Sequence, residues 1–240
     1  MLDQALRDVA AQSAAITYRL CVKRIQWADG AWHLTLGERR VAFDAVILAT
    51  GAADQLSRQL GVAGEPVIGA SVSVYVHGDD VLAPVFQFVG LGAAGYGWMF
   101  PLAAGRINLG VCAVDAGPKR LRAAAGSYMQ RWNVTMAGRI RGGAGPMWSG
   151  RGRQWHDPRG LVSCGDAAGL VDPVTGEGIT AALVSGRAAG MAMDAFLREG
   201  QSSAKLRSYS DWVATSFRAR YEATPVRRSW AYLNEASRPL

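Results

Sequence analysis

One segment of this sequence restricts the fold more than any other, because it combines a short apolar strand, an acidic residue, a turn and a helix of small residues. Residues 161–164 are largely apolar, and Asp166 follows at the end of this predicted strand. Pro173 interrupts the next loop, and a helix rich in Ala and Gly is predicted over 177–198. A buried strand followed by a closely packed helix indicates an α/β domain that binds a ligand at the connecting loop.

The loop between this strand and this helix has the groups that an anionic, polyol-containing ligand needs. Asp166 at a strand end can accept hydrogen bonds from hydroxyl groups. The free N–H groups and the positive dipole end near Gly178 and Ile179 favour negative charge. Glycines at 176 and 178 allow a flat ring to approach the backbone. The simpler interpretation is that Gly165 forms an ordinary turn and that Asp166 only caps a helix.

The rest of the chain divides into segments with different patterns. The first ten residues have helical periodicity, and 16–36 read as a hairpin with its turn at 28–30. The run from Phe43 to Ala49 is predicted as one strand buried on both faces, ending in a sharp turn at Thr50 and Gly51. Further predicted elements are an antiparallel sheet over 66–114, a helix over 119–132, an irregular connection or bent strand over 137–152, and a final helix over 205–221.

Composition excludes several classes of protein. Half of the 240 residues are hydrophobic, so the chain can bury a large core, and the net charge of +7 suits an anionic cofactor, nucleic acid or an acidic lipid surface. The three cysteines are widely spaced and odd in number, so we predict buried thiols rather than disulfides or a metal site. Acidic residues near Met1 do not fit a signal peptide, and we therefore expect a cytoplasmic protein, with peripheral membrane contact left open.

The segment from Val81 to Gly105 contains no charged residue and is long enough to cross a bilayer as a helix. Four glycines at its centre and a proline near each end interrupt it, so we predict strands and turns there and no membrane span. Residues 90–95 within it also spell G-x-G-x-x-G, the dinucleotide-binding pattern. A crossover helix does not fit between 96 and 105, so we interpret these glycines as a turn between strands.

Two short segments alternate basic with glycine or aromatic residues, at 139–143 and 151–155. Such a pattern occurs in proteins that bind single-stranded nucleic acid. The segments are short, and a solvated basic loop is the ordinary structure for them. We therefore do not expect nucleic-acid binding, although a basic binding module stays as an alternative.

The run Gly-Asp-Ala-Ala-Gly-Leu-Val-Asp-Pro-Val-Thr-Gly-Glu-Gly-Ile at 165–179 resembles the flavin motif of the geranylgeranyl reductase family, within the para-hydroxybenzoate hydroxylase-like FAD-dependent oxidoreductases. Residues 96–101, followed by 108–111, are similar to that family's Tyr-x-Trp-x-Phe-Pro substrate-side motif and the strand behind it. Residues 47–52 resemble a strand and turn near the cofactor in related enzymes.

This resemblance implies an α/β (α+β) fold in which an incomplete Rossmann-like FAD-binding domain contains an inserted antiparallel substrate domain. The expected boundaries are 1–65 with 151–200 for the FAD-binding part, 66–150 for the substrate part, and 201–240 for a C-terminal helical segment. The family's first dinucleotide-binding βαβ unit has no counterpart here. We therefore expect a truncated or split enzyme, with an N-terminal partner chain or a homo-oligomer.

The resemblance also assigns roles to individual residues. Tyr96, Trp98 and Phe100 would line an apolar groove for a lipid-like small molecule, although three alternating aromatics on a strand also fit simple core packing. The expected cofactor is FAD, and the residues expected to bind it are Gly165, Asp166, Pro173, Gly176, Gly178, Ile179, Thr50 and Gly51.

The implied reaction is hydride transfer from reduced flavin to a carbon–carbon double bond of an isoprenoid or similar apolar substrate, with NAD(P)H or a ferredoxin-like protein as electron donor. No catalytic acid can be identified, because His77 and His156 stand alone in polar segments and are expected to be exposed. The alternatives are a flavin-dependent monooxygenase or halogenase, since 96–101 partly resembles the halogenase Trp-x-Trp-x-Ile-Pro stretch, and an inactive fragment.

Overall fold

The structure is a computed structural model, and its elements form two compact units, the first ending at Asp44 and the second beginning at Ala45. In the first unit an amphipathic helix is followed by three antiparallel strands in sequence order, with Trp32 fully buried. Asp29 and Gly30 have positive φ angles in the first turn, as a tight hairpin requires. The structure describes residues 2–13, 20–52, 55–60, 67–78, 83–88, 95–114, 116–136, 138–149 and 154–222.

The elements of both units are numbered in chain order. The helices are α1 (Leu2–Ser13), α2 (Leu56–Gln59), α3 (Pro118–Arg131), α4 (Ile179–Arg198) and α5 (Ser203–Glu222). The first six strands are β1 (Val22–Ala28), β2 (Ala31–Leu36), β3 (Arg39–Phe43), β4 (Val46–Leu48), β5 (Val67–His77) and β6 (Val85–Phe88). The other six are β7 (Gly95–Pro101), β8 (Arg106–Val114), β9 (Thr135–Met136), β10 (Arg141–Met147), β11 (His156–Asp157) and β12 (Leu161–Ser163).

An antiparallel sheet dominates the second unit, with the order β10-β5-β8-β7-β6 and β9 paired to β5. Alternating residues give this sheet two different faces. One face carries Val72, Val74 and Val76, and it packs on Leu121 and Ala125 of α3 to form one hydrophobic core. The opposite face carries aromatic and small side chains together with glycine backbone, and these residues line a cavity.

A second, small sheet holds the predicted strand–loop–helix segment. In it β12 lies between β11 and the parallel strand β4, and Leu161 and Val162 are completely buried. The helices α4 and α5 pack against this sheet through a second core that includes Phe196 and Leu206. The hydroxyl of Tyr209 on α5 donates a hydrogen bond to the carbonyl of Ser163 at 2.7 Å, which fixes α5 to β12.

Most of the predicted elements are confirmed, including the strand at 161, the long helix after it, the alternating strands of the sheet and the final helix. The segment Val85–Phe88 and the segment Gly95–Pro101 are strands, as the glycines and prolines predicted. Because Gly95 begins a strand and not a helix, the G-x-G-x-x-G run is not a dinucleotide fingerprint; its residues 90–94 lie outside the described part of the chain. No helix in the described residues is long and apolar enough to cross a bilayer.

The sequence predictions for one strand, one cysteine and one histidine were wrong. The single strand expected from Phe43 to Ala49 is divided at Asp44, because Phe43 ends the first unit's sheet and β4 pairs separately with β12; Ile47 is also exposed. Cys21 is an exposed thiol, whereas Cys164 is buried as expected.

His156, expected to be exposed, is half-buried in β11, and its Nδ1 atom lies 2.6 Å from the Ser210 hydroxyl. Burial lowers the pKa of His156, so it is neutral near pH 7.

Candidate functional site

A cavity of about 650 Å³ lies over the open face of the large sheet. The aromatic side chains of β7 form one wall, and the loop after Asp166 forms another. Backbone and small side chains of β5, β8 and β10 make up much of the rest. We call this space the aromatic cavity, and its lining includes Tyr96, Trp98, Phe100, Cys112, Gly143, Met147, Asp166, Pro173 and Gly176.

The aromatic wall follows from strand alternation. Tyr96, Trp98 and Phe100 point to the open face of the sheet, whereas Met99 between them is fully buried in the core on the other face. The rings of neighbouring members lie about 6 Å apart, at 6.0 Å for Tyr96 and Trp98 and 6.2 Å for Trp98 and Phe100. These three aromatics therefore line a cavity and are not simple core residues.

The flavin-like loop begins with a 3-10 turn over 165–168, and Gly165 and Gly169 both have positive φ angles that suit glycine. The Ser185 hydroxyl of α4 accepts a hydrogen bond from the Gly165 N–H at 2.9 Å and donates one to the Ala181 carbonyl. These bonds hold the turn tightly against α4. The conformation explains why the sequence has glycine at both ends of the turn.

Asp166 faces the beginning of α4. A Cβ atom placed on Gly178 would lie 2.8 Å from the carboxylate Oδ1 of Asp166 and 3.3 Å from Val171, so only glycine leaves this approach open. Burial raises the pKa of Asp166, and the nearby Glu177 carboxylate raises it further. Among the described residues no side chain or backbone group donates a hydrogen bond to this carboxylate, so it is available to a ligand hydroxyl.

The loop at 172–178 is held by its own hydrogen bonds. The Asp172 carboxylate accepts bonds from the N–H groups of Val174, at 2.8 Å, and Thr175, and Gly176 has a φ angle of 70°. The Glu177 carboxylate accepts a bond from the Thr180 N–H at 2.5 Å, and so caps α4. Among the described residues no group accepts a hydrogen bond from the N–H of Gly178 or Ile179, so these groups at the helix start are available to negative charge.

One hydrogen bond joins the aromatic wall to this loop. The Tyr96 hydroxyl donates to the backbone carbonyl of Thr175, which lies three residues before Gly178. Burial raises the pKa of Tyr96 well above its usual value, and the neighbouring Cys112 thiol adds to this shift. Tyr96 therefore stays protonated and able to donate throughout the physiological pH range.

The structure places the predicted site residues in three groups. Asp166, Pro173 and Gly176 line the aromatic cavity together with Tyr96, Trp98 and Phe100. Gly165 and Gly178 are not among the lining residues; they shape the turn and the helix start, and Ile179 is exposed in the first position of α4. Thr50 and Gly51 follow β4, and the next residue, Ala52, reaches the cavity.

Sequence analysis missed several cavity residues. Cys112 lies opposite Tyr96 in the β7–β8 pairing, and burial raises the pKa of its thiol. The glycines of β10 line the cavity as well, although that segment was expected to be irregular or bent. The alternation from Asn108 to Val114 could have indicated that Cys112 shares a face with Asn108, but it could not pair that strand with β7.

The residues at this site fit part of a flavin nucleotide. Asp166 offers a polyol hydroxyl a carboxylate that accepts no hydrogen bond from the described residues, and the absence of a side chain at Gly178 lets the start of α4 lie directly against this carboxylate. Free N–H groups of α4 favour a negatively charged edge of a ring. Asp166, Gly176 and Gly178 are the residues that would hold FAD here.

The arrangement of sheets and helices is shared with solved structures that are less than 25% identical to this chain in sequence. A geranylgeranyl bacteriochlorophyll reductase-like protein from Thermoplasma acidophilum has the same fold, with a TM-score of 0.80 at 21% identity over 96% of this chain and 61% of that one. A flavin-dependent brominase also shares it, with a TM-score of 0.71 at 18% identity over 97% of this chain and 64% of that one.

The chain is also similar in sequence to two named reductases. A menaquinone reductase from Mycolicibacterium smegmatis is 30% identical over 173 residues, which is 60% of this chain and 39% of the relative. Digeranylgeranylglycerophospholipid reductase 3 from Methanosphaera stadtmanae is 32% identical over 136 residues, or 53% of this chain and 33% of the relative. The matched segment thus spans less than half the length of these relatives, and no family model matches the sequence. The chain is thus similar in sequence to part of a menaquinone reductase and of a digeranylgeranylglycerophospholipid reductase, and similar in fold to a geranylgeranyl bacteriochlorophyll reductase-like protein.

Proposed function

We propose that this protein is an FAD-dependent reductase that saturates a carbon–carbon double bond in an isoprenoid or similar apolar substrate. The observation that carries the proposal is the meeting of the aromatic wall and the flavin-motif loop in one cavity, joined by the bond from Tyr96 to Thr175. The names of the relatives, a menaquinone reductase and a digeranylgeranylglycerophospholipid reductase, point to substrates that carry prenyl chains.

FAD, when bound and reduced, supplies a hydride to one carbon of the double bond, and a proton added to the other carbon completes the reduction. The chain's own residues bind and position the two partners. Asp166 and the glycines of the loop hold the cofactor side, while Trp98 and Phe100 present an apolar surface to the substrate. Contact with this surface orients the double bond. The surface also excludes water and so protects the hydride from solvent.

The domain boundaries at 65, 150 and 200 are part of this proposal. The segments around β4 and β12 would carry the cofactor, and the large sheet would carry the substrate. NAD(P)H or a ferredoxin-like protein would supply the electrons. The positive net charge of +7 suits the phosphates of either nucleotide and an acidic protein donor.

The brominase fold likeness supports a second candidate, a flavin-dependent monooxygenase or halogenase. The two candidates differ in the fate of the electrons, because the second consumes molecular oxygen. The test uses the purified protein loaded with FAD and supplied with NADPH and a prenylated substrate. We expect each NADPH oxidised to saturate one double bond without oxygen uptake. Stoichiometric oxygen uptake and an unchanged prenyl chain would contradict the reductase assignment.

A further inference from the structure

The indole of Trp98 is held in one orientation by two residues of β8. Its Nε1–H donates a hydrogen bond of 2.8 Å to the Oδ1 atom of Asn108. Gly110 is its direct partner in the strand pairing, and a Cβ there would lie within 2.6 Å of three adjacent indole carbons, Cε2, Cζ2 and Cη2. The Cβ position is nearest to Cζ2 and almost equally close to its two ring neighbours, Cε2 and Cη2. A position in the ring plane, outside the ring edge, would be much farther from those two neighbours, so the Cβ position lies above the face of the ring. The indole therefore rests with one face on the Gly110 backbone.

The other face of the indole is directed away from the sheet, into the aromatic cavity. Tyr96 and Phe100 flank it along β7, and the Phe100 ring is nearly parallel to it, with an angle of 27° between the planes. Any side chain at position 110 would lift the indole off the sheet. Loss of the Asn108 acceptor would free it to rotate about its side-chain bonds and leave a partly buried N–H without this partner.

We propose that Asn108 and Gly110 are positioning residues that keep the Trp98 indole flat, so that its free face binds the planar conjugated ring of a quinone substrate. A fixed flat surface adds stacking energy for a planar ring, but gives an acyclic prenyl chain only ordinary apolar contact. This inference rests on the proposed function and makes it more specific. It selects a prenylated quinone over a prenylated glycerolipid as the substrate class.

The test measures binding by isothermal titration calorimetry and needs no turnover. The probes are 2,3-dimethyl-1,4-naphthoquinone, whose blocked ring positions prevent reaction with the Cys112 thiol, and farnesol as an acyclic apolar molecule. Both are titrated into the FAD-loaded protein. The variants are Asn108→Leu, which removes the acceptor at similar volume, Asn108→Asp, which keeps it, and Gly110→Ala. Gly126→Ala is the matched control, because a Cβ on this α3 glycine meets no other atom within 4 Å.

We expect N108L and G110A to weaken naphthoquinone binding about three- to tenfold. Farnesol binding should stay within about twofold in all variants, and N108D and G126A should bind both probes like the unchanged protein. Naphthoquinone affinity that is equal in all variants, or absent from the unchanged protein, would overturn the proposal. So would an equal loss for both probes.

A separate FAD titration of the same variants shows whether the indole contacts the quinone ring of the substrate or the flavin ring of the cofactor. If N108L and G110A weaken FAD binding and leave naphthoquinone binding unchanged, the indole serves the cofactor and the quinone assignment is wrong. These binding measurements involve no turnover, so the quinone inference and the proposed reductase activity can fail separately. If the variants show the expected selectivity but the protein reduces no double bond, the role of Asn108 and Gly110 in positioning Trp98 would stand and the reductase assignment would be wrong.

Discussion

The hydroxyl of Tyr96 donates a hydrogen bond to the carbonyl of Thr175, although the two residues are 79 positions apart in the chain. Tyr96 belongs to the antiparallel sheet and Thr175 to the loop that leads into α4. The bond therefore sets the position of the aromatic wall relative to the proposed cofactor site. If the two sites act together, this contact should matter more to ligand binding than to folding.

Substitution of Tyr96 by Phe removes only the hydroxyl of this contact. We expect FAD affinity to fall about two- to tenfold, because the loop loses a bond of ordinary strength that holds it in place. The midpoint of thermal unfolding should change little. Titration of the protein with FAD, followed by quenching of flavin fluorescence, measures the effect. An unchanged affinity would show that the loop does not depend on the sheet.

Gly178 tests the cofactor side of the site. In Gly178→Ala the new methyl group would meet the Asp166 carboxylate at 2.8 Å and Val171 at 3.3 Å, so we expect loss of FAD binding and a destabilisation of about 1–3 kcal/mol. The matched control is Gly186→Ala in the same helix, where a Cβ meets no atom within 4 Å. The control should keep FAD binding and gain up to about 1 kcal/mol of stability, as alanine favours helix. Equal behaviour of both variants would contradict the close approach.

Asp166 is predicted to serve binding at the expense of stability. Its pKa is higher in the folded than in the unfolded chain, so the ionised carboxylate destabilises the folded chain at pH values above the raised pKa. This destabilisation vanishes below about pH 4, where the carboxyl group is protonated in both the folded and the unfolded chain. Asp166→Asn should therefore be more stable than the unchanged cofactor-free protein at pH 7 and unfold at a higher temperature. The gain in free energy of unfolding should be less than about 1 kcal/mol, because the group is half exposed. The difference should disappear in acid.

The same variant should bind FAD at least about tenfold more weakly, because an amide oxygen is a poorer acceptor than a carboxylate. Thermal unfolding at several pH values and an FAD titration give the two results. A variant that is less stable at pH 7, or that binds FAD normally, would show that Asp166 is a structural cap and not a ligand-binding residue.

Tyr209 tests the packing of α5 on the small sheet. Its buried hydroxyl donates to the Ser163 carbonyl, and Tyr209→Phe leaves that buried carbonyl without this bond. We expect a loss of about 1–2 kcal/mol in the free energy of unfolding, measured with urea. Tyr75→Phe, on a partly exposed tyrosine, should stay within about 0.5 kcal/mol. A neutral Tyr209→Phe would mean that α5 is held by apolar contacts alone.

The local features of the site were predictable from sequence, because each depends on near neighbours. The strand at 161, the turn at Gly165 and the helix after Gly178 follow one another within forty residues. The aromatic alternation from Tyr96 to Phe100 likewise fixed a shared face of one strand. These patterns were enough to indicate a ligand-binding loop and an apolar wall, whereas the flavin assignment came from the resemblance of residues 165–179 to a family motif.

Long-range pairing was not predictable in the same way. β10 contains Gly142, Gly143, Gly145 and Pro146, a composition typical of loops, yet it pairs with β5 over seven residues. Its edge position tolerates proline, and its glycines leave room that the cavity occupies. The pairing of Tyr96 with Cys112 and the seat of Trp98 on Gly110 depend on strand register, which no local pattern contains.

The most direct test of the central claim is a single turnover without oxygen. The FAD-loaded protein is reduced with dithionite and mixed with a prenylated naphthoquinone whose ring is already reduced, and products are analysed by mass spectrometry. The reductase assignment predicts that oxidised flavin returns and that the prenyl chain gains two hydrogen atoms. Flavin that stays reduced until oxygen is admitted, with an unchanged prenyl chain, would contradict it.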